Sequence, residues 1–175
     1  MGVLSVLIDR IKKKDSVTIA REAGVKIGDR CIIRSDAYSW FGSEPYLIEI
    51  GNHVEITNGC RFVTHDGAAW VLREFEGLEK IDKFGKITVG NNVFIGLNTT
   101  ILPGVTIGDN CVIGACSLVN KDIPSGEVWA GVPAKRICSL EEYKNKNMAS
   151  FDYTKGLSAK EKEQAVRKTH PDWFN

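Results

Sequence analysis

Three histidines, His53, His65 and His170, are the side chains of this 175-residue chain whose ordinary titration falls near neutral pH. They stand in unlike settings. His53 occupies Gly51-Asn52-His53-Val54, a turn that asparagine or aspartate would fill equally well, and His170 precedes Pro171 in a charged tail. His65 closes the run Phe62-Val63-Thr64-His65-Asp66-Gly67, where a regular repeat breaks off. A histidine so placed suits general-base work, taking a proton from a weak nucleophile as it attacks. A carboxylate would fix its tautomer, either Asp66 beside it or Asp36 or Glu44 from another irregular stretch. Three scattered histidines without i,i+4 pairing or a carboxylate-rich cluster make a poor metal site, so no metal is expected.

Two irregular stretches, residues 35–46 and 66–86, hold the side chains a regular repeat cannot use. The first contains Asp36, Trp40, Glu44 and Tyr46, and the second Trp70, Arg73, Glu74 and Phe75. Aromatic and polar groups at that density suit a sugar ring or a pantetheine arm better than a plain connector.

Between and after these stretches the chain is strictly periodic. Isoleucine or valine recurs every six residues at Val89, Ile95, Ile101, Ile107, Ile113 and Val119, and earlier at Ile27 and Ile33 and at Ile50, Ile56 and Phe62. A second set four residues on is small or β-branched throughout: Val93, Thr99, Val105, Cys111, Ser117 and Ile123. Neither the 3.6 period of a helix nor the period of 2 of a hairpin gives this spacing. It predicts a prism-shaped β-helix in which each hexad supplies one short strand and one corner, with glycine or asparagine at the turns. Three hexads make a coil, so the chain holds roughly four to five coils at the ordinary strand spacing of about 4.8 Å.

The expected organisation is an N-terminal helix over residues 1–14, a β-helix over 15–137 with the two insertions, and a helical tail over 138–175. Val3, Leu4, Leu7, Ile8 and Ile11 fall at helical spacing ahead of Lys12, Lys13 and Lys14. That order is not a signal peptide's; it fits a helix packed on its own protein, or alternatively one giving peripheral membrane contact. No run of about 18 apolar residues is present. A net charge of +1 offers no basic excess for nucleic acid. Cys31, Cys60 and Cys111 occupy the small-residue slot of their hexads, and no CxxC pair occurs, so five free thiols and a cytoplasmic location are expected.

The stretch from Ile87 to Ile137 carries Ile-Thr-Val-Gly-Asn-Asn-Val-Phe-Ile-Gly, then Ile-Leu-Pro-Gly-Val-Thr-Ile-Gly-Asp-Asn, and later Ala-Gly-Val-Pro-Ala-Lys. With these motifs the chain resembles the hexapeptide-repeat acyltransferases over about residues 25–137. Gly42-Ser43-Glu44-Pro45-Tyr46, Thr64-His65-Asp66-Gly67 and Phe84-Gly85-Lys86-Ile87 look like the members that acetylate sugars of bacterial surface polysaccharides; galactoside and maltose acetyltransferases are similar. The resemblance implies an all-β fold, a left-handed parallel β-helix, although parallel crossovers are otherwise right-handed. It also implies a homotrimer with active sites between neighbouring prisms.

Carried onto this chain, the family's catalytic histidine falls on His65, and its adjacent acidic residue on Asp66. The oxyanion donor falls on the backbone N–H of Leu97, after Gly96, from the adjacent subunit. Acetyl-CoA, the acyl donor, would run along the late coils past Ala115, Asn120 and Lys121 to Lys135 and Arg136. Cys138 departs from the pattern, standing where galactoside acetyltransferase has a second arginine. The acceptor, a sugar or glycan, would meet Asp36, Trp40, Glu44, Tyr46, Trp70 and Arg73. The resulting expectation is an acetyl-CoA-dependent O-acetyltransferase. Alternatives are an N-acetyltransferase of amino or nucleotide sugars, a γ-type carbonic anhydrase, and a non-catalytic scaffold.

Overall fold

A computed structural model describes residues 14–34 and 41–174. The expected N-terminal helix, apart from Lys14, and the expected acceptor residues Asp36 and Trp40 lie outside the described residues. The chain divides after Glu141 into two compact units.

The first unit is the repeat made solid. Its strands are two to five residues long and fall on three faces. The first face stacks β1 (Lys26–Ile27), β3 (Ile48–Ile50), β6 (Ile87–Val89) and β9 (Thr106–Ile107) in parallel. The second stacks β2 (Ile32–Ile33), β4 (Val54–Ile56), β7 (Val93–Ile95), β10 (Val112–Ile113) and β12 (Glu127–Ala130), with β13 (Lys135–Ser139) added antiparallel. The third stacks β5 (Arg61–Phe62), β8 (Thr100–Ile101) and β11 (Leu118–Val119). Val89 lies on Ile107, Phe94 on Val112 and Thr100 on Leu118, so one coil is three hexads wherever no insertion intervenes.

Both periodic sets point inward. Ile95, Ile101 and Ile113 are fully buried, and so are Val93, Thr99, Val105, Cys111, Ser117 and Ile123 from the small-residue slot. Each buried aliphatic side chain contributes about 1.5–3 kcal/mol, and the stack makes one continuous core. The two polar members are satisfied without water: the Thr99 and Ser117 hydroxyls both donate to the Gly114 carbonyl. Small thiols pack the same slot, and Cys60 and Cys111 are buried and free.

The corners explain the asparagines. Arg30, His53, Asn92 and Asn110 succeed one another at the first corner with φ between 55° and 57°, a left-handed conformation that asparagine tolerates and β-branched residues do not. The side chains of the last three also form a ladder. Asn92 Nδ2 donates to Asn110 Oδ1 at 2.7 Å, which turns Asn92 Oδ1 toward His53 Nδ1 at 2.8 Å. His53 is thus a corner residue, as its sequence setting implies. At Gly96 the coils leave no room for a side chain: a Cβ would sit 2.5 Å from the Ala115 nitrogen.

At its upper end the column meets helix α1 (Ser16–Ala23), whose N-cap Asp15 accepts from Val17 N and Thr18 N. Ile19 and Ala20 of this helix join the core. Beyond the prism, α3 (Leu140–Asn147) leads into the second unit. That unit is organised around α4 (Ala159–Thr169), opened by a capping box between Ser158 and Glu161. His170 stacks on Trp173 at 3.7 Å and meets the Asp152 carboxylate at 3.0 Å. No helix among the described residues is long and apolar enough to cross a membrane.

The corner geometry makes a stability prediction. Asn92→Gly keeps the left-handed backbone but loses the ladder, whereas Asn92→Val loses the ladder and strains the backbone as well. Thermal melts should rank wild type above Asn92→Gly above Asn92→Val, with the second step costing about 1–3 kcal/mol.

Candidate active site

The second insertion leaves the column after β5 on the third face and rejoins it at β6 on the first; the described part of the first insertion rejoins it at β3, also on the first face. The second grows from a two-stranded stem. His65 pairs antiparallel with Phe84, Gly85 N donates to Thr64 O, and Asp66 N donates to Lys83 O. Above the stem Asp66 Oδ1 accepts from Ala68 N at 3.0 Å, starting the short helix α2 (Ala69–Leu72). Arg73, at the end of α2, ties back to the returning arm through the Ile81 carbonyl at 3.0 Å and the Asp82 carboxylate at 2.5 Å. Only Ala69 of α2 is buried; Trp70 is 72% exposed.

The first insertion returns over this stem. Phe41 is buried in the core against Phe62, ring centroids 5.2 Å apart, and anchors the arm. Three residues on, Glu44 Oε2 lies 2.8 Å from His65 Nδ1 and 2.7 Å from the Thr64 hydroxyl, which donates to it. The carboxylate can only accept, so in the neutral imidazole of His65 it is Nδ1 that carries the proton and Nε2 that keeps the lone pair. These hydrogen bonds, first His65's and then Thr64's, hold the Glu44 carboxyl below its ordinary range. Asp66 goes elsewhere. Its carboxylate takes Lys83 Nζ at 2.9 Å, and that bond followed by the Ala68 N–H lowers its pKa. The carboxylate on His65 is therefore Glu44's and not that of the adjacent Asp66.

His65 is half-exposed and lines two clefts. One, of about 340 Å³, is walled by Glu44, Asp66, Trp70, Arg73, Asp82 and Phe84. The other, of about 460 Å³, runs past Val63, Phe84, Leu102 and Gly104 to Asn120. The chain thus gathers Glu44, His65, Asp66, Trp70 and Arg73 at one place and Asn120 in the adjoining cleft. Tyr46 is exposed in the 3₁₀ turn Pro45–Leu47 and lines neither.

Gly96, Leu97 and Ala115 are not brought to His65. They form the corner between the second and third faces, whereas His65 follows the third. Leu97 is 49% exposed; its carbonyl accepts from Cys116 N, and no acceptor meets its own N–H among the described residues. Lys121 lies over the Trp129 ring at 5.1 Å. On β13, Lys135 is exposed and Arg136 Nε bonds Glu127 Oε1 at 2.9 Å. Thr64, Asp82 and Phe84 are site residues that sequence reasoning did not single out. For Thr64 a signal existed, since alternation from the inward Phe62 points it inward too.

Comparison with known proteins bears on this arrangement. The family model described as bacterial transferase hexapeptide, six repeats, matches residues 86–121. Protein CapG of Staphylococcus aureus is 50% identical over 152 residues, covering 87% of this chain and 87% of that protein. The chain belongs to the hexapeptide-repeat acetyltransferases. Galactoside O-acetyltransferase of Escherichia coli K12 is 54% identical over 161 residues, 82% of this chain and 76% of the relative. Among solved structures, a hexapeptide-repeat acetyltransferase from Vibrio cholerae superposes with a TM-score of 0.52 at 29% identity, over 67% of this chain and 63% of that one. A maltose O-acetyltransferase from Clostridium difficile 630 gives 0.50 at 29% identity, over 70% and 73%. These neighbours imply the left hand for the stacked parallel faces, and the acetyltransferase family makes the protein an enzyme.

A pH prediction follows from Glu44. Its lowered pKa means that the native state favours the ionised carboxyl, so this stabilisation is full above the ordinary value of 4.5 and is lost as pH falls through the lowered native value. Glu44→Gln should accordingly be about 1 kcal/mol less stable than wild type at neutral pH, the usual net size of such a bond, with the gap closing in acid. Urea melts across a pH series measure it.

Proposed function

We propose that this acetyltransferase uses acetyl-CoA to acetylate a hydroxyl of a sugar in a surface polysaccharide of the capsular or lipopolysaccharide kind, or in its precursor. One observation carries the reading: His65, with Nδ1 held by Glu44, lies between two clefts, so Nε2 can meet an acceptor from one side and a thioester from the other. The relatives' names, CapG, galactoside O-acetyltransferase and maltose O-acetyltransferase, support sugar hydroxyls as the acceptor class.

In the proposed step the imidazole Nε2 takes the hydroxyl proton as the sugar oxygen attacks the thioester carbonyl carbon. The C–O bond forms, the carbonyl oxygen gains the negative charge, and collapse breaks the C–S bond. The departing thiolate recovers the proton from the imidazolium, so no acyl-enzyme is needed. Glu44 stabilises that imidazolium. The developing oxyanion needs a fixed donor, and the N–H of Leu97 supplies one only from a second copy, because within one chain it lies at a different corner. The homotrimer and the shared site belong to this reading.

Trp70 and Phe84 offer exposed aromatic faces to a sugar ring, and the Arg73–Asp82 pair offers donors and acceptors to its hydroxyls. The lining carries Glu44, Asp66 and Asp82, and Arg73 is engaged by Asp82, which favours an uncharged ring over a uronic acid. Asn120, Lys121, Lys135 and Arg136 would lie along the donor, with the lysines nearest its phosphates.

His65→Ala should lower turnover at least about 100-fold while leaving the fold and CoA binding intact, read by thiol release and calorimetry. Near-normal turnover would move the base elsewhere. An amino sugar turning over faster than the hydroxyl acceptors would shift the reading to N-acetylation. In light scattering the protein should run at three times 19.3 kDa, since Ile32, Phe94 and Leu97 leave apolar surface on one prism. A fully active monomer would remove the shared site.

A further inference from the structure

His65 and Glu44 are joined by a third residue whose place in the fold is more than packing. Thr64 is 1% exposed, and its side chain points into the prism while that of the next residue, His65, points out. A valine would fill the same volume, but threonine brings a hydroxyl that must find an acceptor in the dry interior. That acceptor is Glu44 Oε2 at 2.7 Å, the same oxygen that meets His65 Nδ1 at 2.8 Å.

We infer that Thr64 is a positioning residue for the base, acting on His65 only through Glu44. This rests on the reading of His65 as base. The terminal torsion of a glutamate is broad, so one hydrogen bond from His65 does not by itself fix the plane of the carboxylate. Two donors converging on one oxygen from different directions do. Thr64 donates from the column, whose position is set by the coils, and therefore ties a side chain of the insertion to the core.

The chain path is arranged around this bond. Phe41 fixes the first insertion against Phe62, and Gly42 then turns with φ +61° directly above Thr64. A Cβ on Gly42 would lie 3.4 Å from the Thr64 hydroxyl oxygen and 3.5 Å from the Phe62 carbonyl, in ordinary contact but in a strained backbone. The other charged groups that line the cleft with His65 among the described residues are engaged elsewhere. Asp66 beside it holds Lys83, and Asp82 and Arg73 across the cleft hold each other. Glu44 is the one carboxylate on Nδ1 among the described residues, so what orients Glu44 orients the base.

The test is a double-mutant cycle on kcat/KM and its pH profile. Thr64→Val keeps the shape and removes the donor, and Thr64→Ser keeps the donor. Thr64→Val should lower kcat/KM about tenfold and move the acid limb to lower pH, as Glu44→Ala does, because the imidazolium loses its positioned partner. Thr64→Ser should return both to within about twofold of wild type. In the Glu44→Ala background Thr64→Val should cost less than about twofold more. An acid limb that stays in place in a normally melting Thr64→Val protein would assign the threonine to packing alone. A full tenfold loss on top of Glu44→Ala would equally overturn action through Glu44. Either failure leaves His65 as the base, whereas an active His65→Ala protein removes the base and this inference together.

Discussion

Backbone contact between successive coils governs this molecule. Coils stack at strand spacing, with glycine where the backbones crowd most closely, as at Gly96, and left-handed residues at corners such as that of Asn92. Given that contact, the inward aliphatic residues of each hexad fall above one another and the core closes as a single column. A side chain at Gly96 would press on the next coil, and a β-branched residue at Asn92 would strain its corner.

A column of this kind is stiff but has no interior to spare, so chemistry has to be built on its outside. The insertions build the candidate site by different means. The second carries its own stem, with His65 opposite Phe84, and so delivers the histidine from the column itself. The first is tied down by a single aromatic, Phe41, in the core and then crosses the stem to bring Glu44 to His65. Buried hydroxyl, carboxylate and imidazole follow in sequence from dry core to open cleft. That gradient keeps the geometry fixed at one end and the Nε2 lone pair accessible at the other.

Electrostatic pairing sorts the carboxylates of the cleft into roles. Asp66 is adjacent to His65 in the chain, yet alternation along the stem and the nearby Lys83 draw it into an ion pair that braces the loop. Asp82 does the same for Arg73. Among the described residues Glu44 is left for the imidazole, and the hydrogen bonds it accepts favour its ionised form. The remaining histidines show how little residue type decides: His53 is a link in the corner ladder, and His170 is clamped between Trp173 and Asp152 in the C-terminal unit.

Periodicity alone was enough to read the three-faced column, the inward positions from Val89 to Val119, the small residues at the narrow slots and the corner role of His53. These are consequences of local spacing, and a hexad that repeats along the chain repeats in space. Residue type and the break in the repeat marked His65 as a candidate base. Only the tertiary structure decided that Glu44 rather than Asp66 meets it, that Thr64 shares the same oxygen, and that Asp82 faces Arg73. Each of these joins residues from separate arms or depends on which way a side chain leaves an irregular loop, and no periodicity records that. The separation of Leu97 from His65 within one chain is likewise a matter of which corner each occupies, a fact of closure around the prism and not of distance along the sequence.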